Sequence, residues 1–143
     1  LRAWLYTDRP EPGTSVADAF RDLAGEVEDR HGVAVETVCV GDRVPDRDTE
    51  VVVAAAREAL SNAVRHGAPP VSLYVEATGE GVEVFVRDHG PGFSLEEVAA
   101  DRHGVRESII GRMERHGGSA QVRRLRSGTE VRLCLPAAAD PTV

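Results

Sequence analysis

With 143 residues, 41% of them hydrophobic, the chain has material for one domain and one core. Its formal net charge of -7 argues against a domain that grips nucleic acid through phosphate contacts. All 17 Lys-or-Arg positions are arginine, which excludes mechanisms that require lysine: the P-loop, the Ser/Thr-type kinase site and Schiff-base chemistry.

In chain order, Leu1 to Tyr6 (LRAWLY) reads as the end of a dimerisation helix and TDRPEPGTS as a linker, so residues 1–14 precede the domain. Ser15 is placed to cap a helix from about Val16 to His31, with Gly32 as its stop and apolar positions at helical spacing. Val33 to Val40 alternates like a strand. Asp48 or Thr49 is expected to open a second helix, about residues 49–66, closed by Gly67 and Pro69. Val71–Ala77 and Val82–Arg87 read as strands joined by a TGEG hairpin turn. A third helix is expected from about Arg106 to Arg115. Two last strands, Ala120–Leu125 and Glu130–Leu135, meet at Ser127-Gly128, and residues 137–143 form a tail. These elements predict an α/β (α+β) two-layer sandwich over residues 15–136: a mixed, mostly antiparallel five-stranded sheet with about three helices on one face. The longest apolar run, Val51 to Ala56, is far shorter than the roughly 18 residues of a membrane span. Arg2, Asp8 and Arg9 interrupt any signal-like start, so a cytoplasmic location is expected. Cys39 and Cys134 sit within strands and read as buried free thiols, and the five histidines are dispersed.

Two segments carry chemistry. On the second helix, Glu58, Asn62, Arg65 and His66 fall within about a 100° arc, opposite Val52, Ala56, Ala59, Leu60, Ala63 and Val64. A carboxylate and an amide oxygen beside two donors suit a hard cation such as Mg²⁺ and the anionic groups it carries. A plain solvated amphipathic face would show the same stripe. At the end of the strand VEVFVR, Asp88-His89-Gly90-Pro91-Gly92 places an acid before two alternating glycines. Asp88 can accept from a buried donor such as the adenine amine, where guanine would present a repelling carbonyl. Gly90 and Gly92 let the backbone approach a flat ligand. A surface turn would use the same residues. Ser94 to His103 has the length and polarity of a lid, and Gly104-Val105 leads into a helix whose N-terminus, flanked by Arg102 and Arg106, suits phosphate.

The order of these signals is E-x-x-x-N, hairpin, D-x-G-x-G, lid, glycine-led helix, then Gly128-Thr129 before a last strand. It resembles the ATPase superfamily of DNA gyrase, the large heat-shock chaperones, sensor histidine kinases and mismatch-repair MutL proteins (the Bergerat ATP-binding fold). EALSNAVRHG followed by VRDHGPGF is most similar to histidine kinases of the nitrate-sensor and DesK-like class. The resemblance implies ATP and Mg²⁺ as ligands. It implies that Asn62 ligates Mg²⁺ with Glu58 beside it, and that Arg65 and His66 approach the phosphates. Asp88 would read the adenine amine, helped by Thr129 through a water. Gly90 and Gly92 would shape the base pocket, and Gly104 and Val105 the lid hinge. Arg102 and Glu107 stand where the family often has glycines, and Arg65 where it often has lysine.

The reaction so implied is phosphorylation of a histidine on a dimerisation helix, with signal transfer to a response regulator. None of His31, His66, His89, His103 or His116 fits the acceptor, so little or no autokinase activity is expected of this chain alone. The chain is expected to be monomeric and its parent homodimeric. The alternatives are an anti-sigma-factor serine kinase of the same fold and a degenerate interaction module without nucleotide.

Overall fold

The computed structural model describes residues 15–90 and 107–137. Helix α1, Val16–His31, begins where expected: the Ser15 side chain accepts from the Asp18 N–H, and Gly32 closes the helix at φ 66° with its N–H on the Glu28 carbonyl. The Asp42 carboxylate sits over the same N-terminus, taking the Ala17 N–H at 3.0 Å and the Ser15 hydroxyl.

Strand β1, Val35–Gly41, leads to helix α2, Arg47–His66. The helix starts earlier than expected, because Asp46 and not Asp48 or Thr49 is its N-cap. Asp46 Oδ1 accepts the Thr49 N–H at 2.9 Å, and Thr49 Oγ1 accepts the Asp46 N–H at 3.2 Å. Strands β2, Val71–Thr78, and β3, Gly81–Asp88, form the expected hairpin. A helical segment α3 covers 107–115 among the described residues, followed by β4, Ser119–Arg124, and β5, Thr129–Leu135.

The strand order is β1-β2-β3-β5-β4. The β1–β2 pair is parallel, with α2 as its crossover, and the other three pairs are antiparallel. Alternation decides which face is covered: Val71, Leu73, Val75 and Ala77 of β2 are buried, as are Val82, Val84 and Val86 of β3. The helices meet that face with Phe20, Leu23 and Val27 from α1, Val52, Ala56 and Leu60 from α2, and Ile109 and Met113 from α3. The mixed five-stranded sheet with helices on one face agrees with the fold read from the sequence.

The other face is polar and partly aromatic. Phe85 meets Tyr74 at 6.1 Å between ring centroids, and the Arg132 guanidinium lies 5.7 Å from the Phe85 ring while bonding Glu83 at 2.6 and 2.9 Å. Cys134 donates to the same Glu83 carboxylate. Burial, and then that carboxylate, push the Cys134 thiol above its ordinary pKa; burial does the same to Cys39. No described helix is long and apolar enough to cross a membrane.

Candidate functional site

The site is built where the C-terminal half of α2 meets the C-terminal end of β3. The inward side of α2 is lined by alanine at 55, 56, 59 and 63, small side chains that bring the helix close to the sheet. Its next face carries Glu58 and Asn62, one turn apart, both half-buried. Glu58 Oε2 and Asn62 Oδ1 are cut off from solvent, and neither has a hydrogen-bond partner among the described residues.

Unpaired buried acceptors cost about 1–3 kcal/mol each, so two on adjacent turns need an explanation. A hard cation with oxygen ligands fits both atoms, and the donor set is the kind Mg²⁺ accepts. Among the described residues no three His, Cys, Asp or Glu side chains converge as a metal cage. A cation held here would therefore complete its shell with water and ligand oxygens, which is how Mg²⁺ is commonly bound beside phosphates.

Arg65 and His66 occupy the last turn, Arg65 exposed with its Nε on the Ser61 carbonyl at 3.3 Å. Gly67 ends the helix and brings it against β3. A methyl group on Gly67 would stand 2.4 Å from Asp88 Cγ, so only glycine permits this approach. Asp88, the last residue of β3, is 3% exposed, and its Oδ1 accepts the Gly90 N–H at 3.0 Å. Gly90 packs on the Gly67 backbone, and His89 donates its N–H to the Ala68 carbonyl at 2.9 Å. On the other side, Thr129 is the register partner of Asp88. Gly128 holds φ 105° so close to the Asp88 carbonyl that a side chain there would overlap it.

The structure thus gathers Asp88, Gly90 and Thr129 at one end and leads through Gly67 to Asn62 and Glu58. Asn62 lies five residues before Gly67, about 7.5 Å along the helix axis. Gly92, Gly104, Val105, the expected lid at 94–103 and its flanking Arg102 and Arg106 lie outside the described residues.

Two further residues reach the site. Ser108 Oγ is 3.5 Å and Arg112 Nη2 is 3.7 Å from Glu58 Oε1, both from α3. Their i,i+4 spacing put them on one helical face, but nothing local in the sequence aimed that face at Glu58. Two open depressions elsewhere contain none of the site residues. One of about 670 Å³ on α1 is lined by Arg21, Asp22, Glu26 and Arg30, and one of about 380 Å³ on the sheet surface is lined by Glu76, Glu83 and Arg132.

Residues 47–139, well over half the chain, match the family model described as histidine kinase-, DNA gyrase B- and HSP90-like ATPase. Over 58 residues, 41% of the chain, it is 48% identical to the sensor protein CseC of Streptomyces avermitilis; the match spans 10% of that protein. Among solved structures, the ATP binding domain of PrrB from Mycobacterium tuberculosis superposes with a TM-score of 0.66 at 23% identity, covering 87% of this chain and 96% of that one. The histidine kinase domain of the Erythrobacter litoralis EL346 blue-light activated histidine kinase gives a TM-score of 0.66 at 20% identity, covering 85% of this chain and 60% of that one. At these identities the superpositions establish the fold. Together with the family match over α2 to β5, they show that the chain belongs to the histidine kinase-, DNA gyrase B- and HSP90-like ATPases.

Proposed function

We propose that this chain is the ATP-binding catalytic domain of a sensor histidine kinase, which holds Mg-ATP for phosphoryl transfer to a histidine on a separate dimerisation helix. One observation carries the reading: two solvent-excluded acceptors without a partner among the described residues, Glu58 Oε2 and Asn62 Oδ1, lie on the helix whose end packs against the buried carboxylate of Asp88. Family membership and the match to a sensor protein support it.

Each residue has a task at its own end of the site. Asp88 accepts from the adenine amine. Its burial raises the worth of that charge-assisted bond, about 1.5–3 kcal/mol, and turns the carboxylate against a guanine carbonyl. Thr129 stands across the ladder, placed to share a water with the base. Gly90 keeps the floor of the base pocket flat; Gly92 is assigned to the same pocket, and Gly104 and Val105 to a lid hinge, by resemblance.

Asn62 offers its amide oxygen to Mg²⁺, and Glu58 acts on the metal or its waters. Arg65 and His66 supply positive charge and donors toward the phosphates. Mg-ATP brings the transferable phosphoryl group and the cation that offsets its charge, so the chain's own contribution is positioning and electrostatic stabilisation. The partners proposed are the dimerisation helix of the same kinase and a response regulator. The parent is a homodimer whose ATP-binding domain works in the cytoplasm, whether or not the parent is anchored in a membrane, and this chain alone is a monomer.

Calorimetry with Mg-ATP tests the reading. Binding is expected, and Asp88→Asn should weaken it about tenfold or more, the loss of one desolvated charge-assisted bond. An unchanged affinity in the variant would show that Asp88 does not read the base. Absence of binding by the parent chain would leave a degenerate interaction module.

A further inference from the structure

We propose that Arg112, with Ser108, is a positioning residue that fixes the Glu58 carboxylate so that its second oxygen shares the metal position with Asn62. The inference rests on the Mg-ATP reading above and assigns α3 a part in it.

The two oxygens of Glu58 have different surroundings. Oε1 faces α3, with Ser108 Oγ at 3.5 Å and Arg112 Nη2 at 3.7 Å. Oε2 has no solvent contact and no partner among the described residues, a state shared with Asn62 Oδ1 one turn on. A glutamate has three side-chain torsions, and a free one would turn Oε2 toward water. Contacts on Oε1 restrict that rotation and leave Oε2 committed to the interior.

Arg112 suits this task better than lysine would. Its guanidinium can hold a carboxylate oxygen while its planar fork limits swing. The Arg112 and Glu58 side chains are 32% and 34% exposed, so the ion pair itself adds little to stability. Its worth lies in orientation. Arg112 also comes from the same helix as Ile109 and Met113, which are sunk in the core, so its backbone origin is fixed relative to α2. It is not a catalytic residue, because it acts through Glu58.

The test measures ATP affinity of the whole chain by calorimetry, once with Mg²⁺ and once with EDTA, for the wild type and for Arg112→Ala, Arg112→Lys and Glu58→Gln. Arg112→Ala should lose about fivefold or more of the Mg²⁺-dependent gain, with affinity in EDTA unchanged. Arg112→Lys should recover part of it, and Arg112→Ala should add nothing in a Glu58→Gln background, since the two would act through one contact. A wild-type Mg²⁺ gain in Arg112→Ala overturns the proposal. So does an equal loss with and without the metal, which would mark a structural effect. If the wild type binds no ATP in either condition, the Mg-ATP reading fails first. If it binds ATP normally and only the Arg112 expectations fail, that reading stands.

Discussion

Asp88 shows how much one side chain depends on its neighbours. Its place at the end of a strand before D-x-G-x-G was legible in the sequence, because the alternation of VEVFVR ends there. Its confinement was not: Gly67 and Gly128 press on it from 21 and 40 residues away along the chain, and only the folded register brings them there. Gly67 read simply as a helix stop. A methyl group at Gly67 would lie 2.4 Å from Asp88 Cγ and 2.6 Å from the Ala63 carbonyl. Gly67→Ala should therefore lower unfolding free energy by about 1–3 kcal/mol and weaken ATP binding, as the carboxylate or the helix end is displaced. Gly79→Ala, where nothing lies within 4 Å, is the control expected to leave both unchanged. Urea denaturation with calorimetry checks both variants. Normal affinity in the Gly67→Ala variant would mean that the approach of α2 to β3 does not set the base pocket.

Among the elements, α1 and α2 were the best-marked in sequence, since helical spacing of apolar residues is a local signal. Their caps were less evenly legible. Ser15 and Gly32 stood out as ordinary start and stop residues, whereas the α2 cap was displaced to Asp46. The box there uses Thr49 at the position usually filled by Glu or Gln, which hid it. Both helix starts carry a carboxylate with a lowered pKa. Burial alone would raise Asp42, but the Ser15 hydroxyl and the N–H groups of Ala17 and Arg43 outweigh it. For Asp46, the Thr49 N–H is the main cause.

A depressed folded-state pKa means that this stabilisation is full above the ordinary value of 3.8 and is lost as pH falls through the folded value. Melting temperatures taken between about pH 6 and about pH 2.5 should show the wild type well above Asp42→Asn and Asp46→Asn at the upper end and converging with them at the lower. A gap that stays constant with pH would mean that the carboxylates contribute through shape and not charge.

The architecture of the whole molecule was also readable, because hairpin turns and alternating strands leave few ways to close a sheet. The parallel pairing of β1 with β2 and the contact of α3 with Glu58 were not, since both depend on segments meeting across long separations, 50 residues in the case of Ser108. On the proposed kinase reading, none of the described histidines is assigned as the phosphate acceptor. His31 and His66 end helices, His116 follows α3, and His89 Nδ1 is held 2.7 Å from the Pro70 carbonyl. The purified chain should bind ATP and yet accumulate no acid-labile phosphohistidine when incubated with radiolabelled Mg-ATP. Robust self-labelling on histidine would overturn the assignment of the acceptor to another segment, and phosphoserine on an added antagonist protein would favour a serine kinase of the same fold.

Helix α2 does two jobs at once: it ties a parallel edge strand to its neighbour and presents Glu58 and Asn62. Tied to β1 at one end and to β2 at the other, with its alanine ridge buried on the strands beneath, it can swing outward only by giving up that packing. On the proposed reading, the amide side of the site is thus an anvil, a surface already finished when the nucleotide arrives.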